Sequence, residues 1–297
     1  MRIAVFGAGG VGGYIAANLC GRGNEITVVA RGAHLEAIRA HGLRVMEDER
    51  EYTVRPDAAI GEAALEGVYD LVLLCVKGYD MERAVETLRP HLTPDTIILP
   101  LSNGVEHFEM LRRRLDAKIL TGCCYILSHI ASPGVVRKKG KVFTAVFGSA
   151  AHPEAANSVA AIFEDAKLRC KTPEDIDTAV WKKYLFISAF ASLTSYYNLP
   201  IKAVYERRRA EAETLLEEIA AVARAKGIEI GDEVQKALET ASGVPESAST
   251  SMHLDFQQGK PTELEALSGY IVTEGARLGV SIPLMKKLYD GLKSGRY

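Results

Sequence analysis

The chain is 297 residues long, 47% hydrophobic, with a formal net charge of −2, which is enough for about two domains and too balanced to draw nucleic acid or an anionic membrane. No segment reaches the ~18 uninterrupted apolar residues of a membrane span, and the early glycines interrupt any secretory h-region, so a cytoplasmic protein with no membrane partner is expected. The five cysteines, Cys20, Cys75, Cys123, Cys124 and Cys170, include no CxxC pair, and the seven histidines show no ligand spacing, so reduced thiols and no metal are expected.

Ile3-Ala4-Val5-Phe6 is followed at once by Gly7-Ala8-Gly9-Gly10-Val11-Gly12-Gly13 and then by an apolar-periodic stretch to Cys20. This reads as strand, glycine turn, helix. Gly7 permits the turn, Gly9 lets backbone approach a pyrophosphate, and Gly12 lets the helix pack close to the strand, its free N–H groups facing phosphate charge. Gly7, Ala8, Gly9, Gly10, Val11 and Gly12 are therefore candidate cofactor contacts. A glycine turn alone is a weak signal, but its place between a strand and a helix favours a dinucleotide over a bare structural turn.

Residues 25–30 read as the second parallel strand, ending at Arg31. An acidic residue there would bind a ribose 2′-hydroxyl and repel a 2′-phosphate, whereas a guanidinium pairs with that phosphate. Arg31 thus favours NADP over NAD. A helix over 34–41 and a hairpin over 43–54 follow, with the charged run Glu47-Asp48-Glu49-Arg50-Glu51 as a solvated tip. Residues 70–76 form a continuous apolar run suited to a sheet covered on both faces. Lys77 stands at its C-terminal end, the edge where open α/β sheets bind ligands, ahead of a helix over 81–88. Residues 96–101 are the next strand, closed by Ser102-Asn103-Gly104 before a helix over 105–115. Further strands are expected at 118–127, 142–148 and 168–171, with a turn at Pro133-Gly134, the basic segment Arg137-Lys138-Lys139 and a helix over 155–165.

From residue 175 the pattern turns helical, with Thr172-Pro173-Glu174-Asp175 supplying boundary chemistry. The expected organisation is a mainly parallel α/β domain over 1–174 and an all-helical domain over 175–297, with one long amphipathic helix at 206–226 and a helical region at 252–279. Within the apolar helix at 181–194 stand two lysines, Lys182 and Lys183. Burying such a charge without a partner is expensive, and the simple alternative is that both reach solvent from the first turn. Lys183, Ile187 and Ala191 are spaced four apart and share one face.

Taken in order, the glycine turn, Ala30-Arg31, Val76-Lys77, Ser102-Asn103-Gly104, Trp181-x-Lys183, Leu193-Thr194, Ser251-Met252 and Thr262-Glu263 resemble the motifs of the 2-dehydropantoate 2-reductase (ketopantoate reductase) family over essentially the whole chain. The resemblance implies an N-terminal Rossmann-type domain, a helical C-terminal domain, and NADPH-dependent reduction of a 2-oxo acid, with a place in pantothenate biosynthesis. Carried over position by position, it makes Lys183 the proton donor, Asn103 and Ser251 substrate contacts, and Asn103, Ser128, Glu263, Lys77 and Arg31 cofactor contacts beside the glycine turn. Hydride addition to a ketone builds alkoxide charge that an ammonium group stabilises and then neutralises.

In one respect the chain departs from the family, which places asparagines four and eight residues after the lysine, where this sequence has Ile187 and Ala191; a later asparagine aligns with Ile201, with Asn198 close by. Lost hydrogen bonds to a polar substrate cost about 1 kcal/mol each, so a less polar 2-oxo acid is expected. An opine-type or hydroxy-acid dehydrogenase and a non-catalytic NADP-binding regulator are the alternatives. The first is opposed by Arg31, the second by retention of Lys183 and Glu263. The long helices of the second half could form a homodimer interface.

Overall fold

Strict alternation along β1 (Arg2–Phe6) sets the architecture of the first half. Ile3 and Val5 enter one apolar core while Ala4 and Phe6 enter another, so the strand is covered on both faces, as parallel sheets require. The structure, a computed structural model, describes residues 1–48 and 50–295. It divides into two compact units, Met1–Ser102 with His107–Ile176, and Asn103–Glu106 with Asp177–Tyr297. The short segment around Asn103 thus groups with the helices and not with the sheet elements that flank it in sequence.

In the first unit the strands after β1 are β2 (Glu25–Val29), β3 (Leu43–Glu47), β4 (Arg50–Val54), β5 (Ala58–Ile60), β6 (Leu71–Leu74), β7 (Ile97–Pro100), β8 (Lys118–Ile119), β9 (Thr121–Ser132), β10 (Val135–Gly148) and β11 (Cys170–Lys171). A six-stranded sheet runs β5-β2-β1-β6-β7-β8, every pairing parallel. The apolar run at β6 fits this place, since Leu71 and Leu73 fill one core and Val72 and Leu74 the other. Helices α1 (Gly10–Leu19), α2 (Gly32–His41), α3 (Met81–Leu88), α4 (Glu106–Arg114) and α5 (Pro153–Asp165) connect the strands.

A second sheet, in the order β11-β10-β3-β4 with β9 also on β10, is not marked in the sequence. The strand expected over 118–127 is two strands: β8 closes the parallel sheet and β9 pairs antiparallel with β10. Ile119 and Leu120 before the switch and residues 121–124 after it are buried, so the pattern runs through the switch unbroken. The basic segment Arg137-Lys138-Lys139 lies within β10, which begins at Val135 rather than 142. Lys138 is 5% exposed there because the Glu47 carboxylate, 3.3 Å away, and the Tyr14 ring receive its charge. The hairpin expected over 43–54 forms as β3 and β4; Glu49 at its tip lies outside the described residues.

The second unit holds α6 (Ile176–Tyr197), α7 (Ile201–Arg207), α8 (Arg209–Ala225), α9 (Glu233–Gly243), α10 (Ser251–Gln257), α11 (Tyr270–Leu278) and α12 (Pro283–Ser294). The single long helix expected over 206–226 is broken at Arg208, whose φ of −135° leaves the helical range. Its guanidinium stacks over Tyr197 and bonds Glu211, contacts that sequence periodicity does not report. The helical region expected over 252–279 is interrupted at Gly259 (φ +62°) and Pro261. It resumes in a π turn over Glu265–Gly269 that leads into α11. A π turn displaces the helical hydrogen-bond ladder, and hydroxyls meet its carbonyls: Tyr184 donates to Ala266 and Leu267, and Ser188 donates to Leu267. Among the described residues no helix is long and apolar enough to cross a membrane.

Glu274, 8% exposed, is held by Arg277 at 2.8 and 2.9 Å and by Lys226 at 2.6 Å. Hydrogen bonds from Arg277, working against burial and joined by Lys226, bring its carboxyl down to about 2. A depressed carboxylate contributes stability above its unfolded value that is lost as pH falls through the folded one. Glu274→Gln is expected to cost about 2 kcal/mol at pH 7 and to flatten the acid limb of stability between about pH 5 and 2, read by denaturant unfolding across pH.

Candidate functional site

The first unit gathers its polar groups at strand ends. After β1, Gly7 takes φ +98°, and the N–H groups of Gly7 and Ala8 donate to Val29 O at 3.1 Å, tying the turn to β2. A Cβ on Gly12 would lie 2.2 Å from the Gly7 carbonyl oxygen, so only glycine lets α1 start this close to the strand. At Gly9 a Cβ would meet nothing within 4 Å, and no side chain caps α1. The first-turn N–H groups of a helix lack intrahelical partners, so the turn is an open cradle with the geometry an anionic pyrophosphate needs. The residues present fit a dinucleotide.

Ser128 backs this cradle. A Cβ on Gly10 would meet its carbonyl oxygen at 2.6 Å, and the Ser128 hydroxyl is buried without a hydrogen-bond partner. One residue that sequence reasoning missed is His34, which accepts from Gly134 N at Nδ1 (3.0 Å) and donates from Nε2 to the Ala8 carbonyl (2.9 Å). Burial lowers its pKa against the Ala8 bond, so the neutral ring is favoured. It pins the middle of the glycine turn, a role announced only by a distant Pro-Gly turn.

Arg31 follows β2 and stands at the N-cap of α2; its exposed guanidinium donates to the Asp80 carboxylate at 2.9 and 3.4 Å. Lys77 follows β6 and precedes a short 3₁₀ turn over Gly78–Asp80, its carbonyl accepting from Asp80 N at 2.9 Å. The Ser102 hydroxyl donates to Val76 O at 2.6 Å, clamping the chain beyond β7 to the chain beyond β6.

The second unit carries a separate constellation. Asn103, Lys183 and Glu263 come together: Lys183 Nζ donates to Asn103 Oδ1 at 3.0 Å, and Asn103 Nδ2 donates to Glu263 Oε2 at 3.4 Å. Glu263 is 2% exposed and lies two residues before the π turn that Tyr184 and Ser188 hold. The two lysines of α6 separate in role, since Lys182 pairs with Glu233 at 3.3 Å. Gly104, at φ +104°, turns the chain after Asn103, and a Cβ there would strike Glu106 Oε2 at 2.6 Å. That carboxylate accepts from Val105 N at 3.1 Å. Burial, with Glu263 nearby as a lesser cause and backbone bonds opposing, pushes Glu106 up to about 7.

Ser251 is exposed at the start of α10, behind the Thr250 cap that receives His253 N. Ile187 is half-buried, while Ala191 and Ile201 are buried. Asn198, at φ +50°, has its Oδ1 occupied: Gln257 Nε2 donates at 2.9 Å and His253 Nε2 lies at 2.8 Å, while the other ring nitrogen of His253 meets Ser249 Oγ at 2.6 Å. Among the described residues no cluster of three His, Cys, Asp or Glu side chains is placed to hold a metal ion.

A parallel sheet with a glycine turn beyond its first strand, and a helical unit with a lysine linked through an amide to a buried carboxylate, is the build of a two-part oxidoreductase. The chain matches the family models described as ketopantoate reductase PanE/ApbA, over residues 3–151, and its C-terminal counterpart, over 175–295. It is 28% identical to the uncharacterized oxidoreductase YkpB of Bacillus subtilis over 99% of this chain and 98% of that one. It superposes on a PanE/ApbA family ketopantoate reductase from Ralstonia eutropha JMP134 with a TM-score of 0.90 at 32% identity, covering 99% and 98% of the two chains. The corresponding values for a 2-dehydropantoate 2-reductase from Porphyromonas gingivalis W83 are 0.85 at 35%, covering 98% and 99%. The chain belongs to the ketopantoate reductase family.

A carboxyl raised by folding makes stability fall as pH rises from its unfolded value to its folded one. For Glu106 that window is about pH 4.5 to 7. Glu106→Gln keeps an acceptor for Val105 N and carries no charge; it is expected to remove the fall in stability across this window, measured by chemical unfolding at intervals of half a pH unit.

Proposed function

We propose that this protein is an NADPH-dependent reductase that converts a 2-oxo acid to the 2-hydroxy acid, acting on a substrate related to 2-dehydropantoate and less polar than it. The observation that carries this reading is the Lys183–Asn103–Glu263 linkage. A lysine in an apolar helix is retained at a cost, and an amide acceptor backed by a buried carboxylate orients its ammonium group. Lys183 stabilises alkoxide charge as it develops on the ketone oxygen and gives up a proton to it. Asn103 and Ser251 orient the substrate without adding charge.

The glycine turn from Gly7 to Gly12 holds the pyrophosphate, with Ser128 behind it; Lys77 lines the same strand-end edge, Arg31 meets the 2′-phosphate, and Asn103 and Glu263 serve the nicotinamide end. The nicotinamide, when bound, supplies the hydride. The reading of a less polar substrate is supported by Ile187, Ala191 and Ile201, none of which offers a hydrogen bond, and by Asn198, whose carbonyl oxygen is occupied by Gln257 and His253.

NADPH oxidation across a panel of 2-oxo acids should give the highest kcat/KM with a branched or aromatic apolar member, at least about tenfold above 2-dehydropantoate. The reverse order would remove the substrate assignment, and no turnover on any member would remove the reductase reading. Lys183→Ala is expected to lower kcat by roughly 10²–10⁴ while leaving the Kd for NADPH within about twofold; an unchanged rate would take Lys183 out of the mechanism.

A further inference from the structure

Asp80 occupies the N-cap position of α3, yet its side chain caps nothing. It turns instead to two guanidinium groups, receiving both terminal nitrogens of Arg31, at 2.9 and 3.4 Å, and Nη2 of Arg83 at 2.7 Å. Arg83 is shared in turn with the Glu62 carboxylate. These four linked side chains sum to zero charge. The Asp80 side chain is 16% exposed against 66% for Arg31, so the carboxylate is the anchored partner and the guanidinium the one that can move.

We propose that Asp80 is a specificity-determining residue for the dinucleotide: by engaging Arg31 it holds the preference for NADPH over NADH below what Arg31 alone would give. The inference rests on the reading of Arg31 as the 2′-phosphate residue. A phosphate that pairs with Arg31 must share its terminal nitrogens with Asp80 or displace Asp80 from them. In either case it is set beside a carboxylate that Arg83 keeps in place, and like charges at such range repel. A 2′-hydroxyl meets no such opposition. Burial favours protonation of Asp80, but hydrogen bonds from Arg83 and Arg31 bring its carboxyl below the usual range, so the charge is present throughout neutral pH.

The test is calorimetric titration of the full chain, wild type and variants, with NADPH and NADH and with the fragments 2′,5′-ADP and 5′-ADP. Asp80→Asn and Asp80→Ala are both expected to tighten NADPH and 2′,5′-ADP by about tenfold and to leave NADH and 5′-ADP within about twofold. In an Arg31→Ala background most of that gain should vanish. Weaker or unchanged NADPH binding in both Asp80 variants, with an unaltered Tm, would show that Asp80 orients Arg31 for phosphate or is idle, and would overturn the proposal. An equal gain for NADH would overturn it too. If Arg31→Ala weakens NADPH alone and the Asp80 variants gain nothing, only this inference falls; if Arg31→Ala weakens both cofactors equally, the reading of Arg31 falls and carries the inference with it.

Discussion

Burying both faces of β1, β2, β6 and β7 leaves that part of the chain few places for a polar group except the strand ends. An unpaired polar atom inside such a sheet costs several kcal/mol, and apart from Thr27 the buried residues within these strands are apolar. The candidate groups that this sheet carries therefore follow its strands: the glycine turn after β1, Arg31 after β2, Lys77 after β6 and Ser102 after β7. The parallel pairing puts all four on one edge, because parallel strands end on the same side. The Ser102 hydroxyl on Val76 O then joins two of those ends directly.

The helical unit solves the opposite problem, that of keeping charge inside apolar packing. Lys183 sits on a helix whose Leu185, Ala189, Phe190 and Leu193 are fully buried. It is accommodated by an uncharged intermediary: Asn103 accepts from the ammonium group and donates to Glu263, so the two charges share one amide. The carboxylate lies two residues before a backbone irregularity. The π turn at Glu265–Gly269 departs from the helical ladder, and the Tyr184 and Ser188 hydroxyls from α6 hold the carbonyls of that turn. Helical irregularity of this kind is common at functional sites.

The sequence makes legible whatever depends on local pattern. Continuous apolar runs mark the strands of the parallel sheet, and the glycine turn is written in its spacing; Gly7 and Gly12 occupy positions where a side chain would strain or collide. Residues 118–127 read as one strand because burial is the same on both sides of the sheet switch after Ile119, so hydrophobicity has no way to report a change of partner. The break at Arg208 is not legible because no Gly or Pro marks it, and the Arg208 contact with the Tyr197 ring is not written in the local pattern. Of the candidate site, Arg31, Lys77, Asn103, Lys183 and Glu263 are singled out by motif and resemblance, but the hydrogen bonds that join Lys183, Asn103 and Glu263 are not legible. His34 and Asp80 were invisible because their partners, Gly134 and Arg31, lie 100 and 49 residues away.

The grouping of Asn103–Glu106 with the helices has a bearing on how such proteins can be recombined. The helical unit is not one contiguous stretch of gene: four of its residues are encoded inside the sheet half, and they include the amide that joins Lys183 to Glu263. A chimaera cut at residue 175 would inherit the lysine and the carboxylate from one parent and the amide between them from the other. An exchange at that point keeps the linkage only where residue 103 of one parent matches residues 183 and 263 of the other.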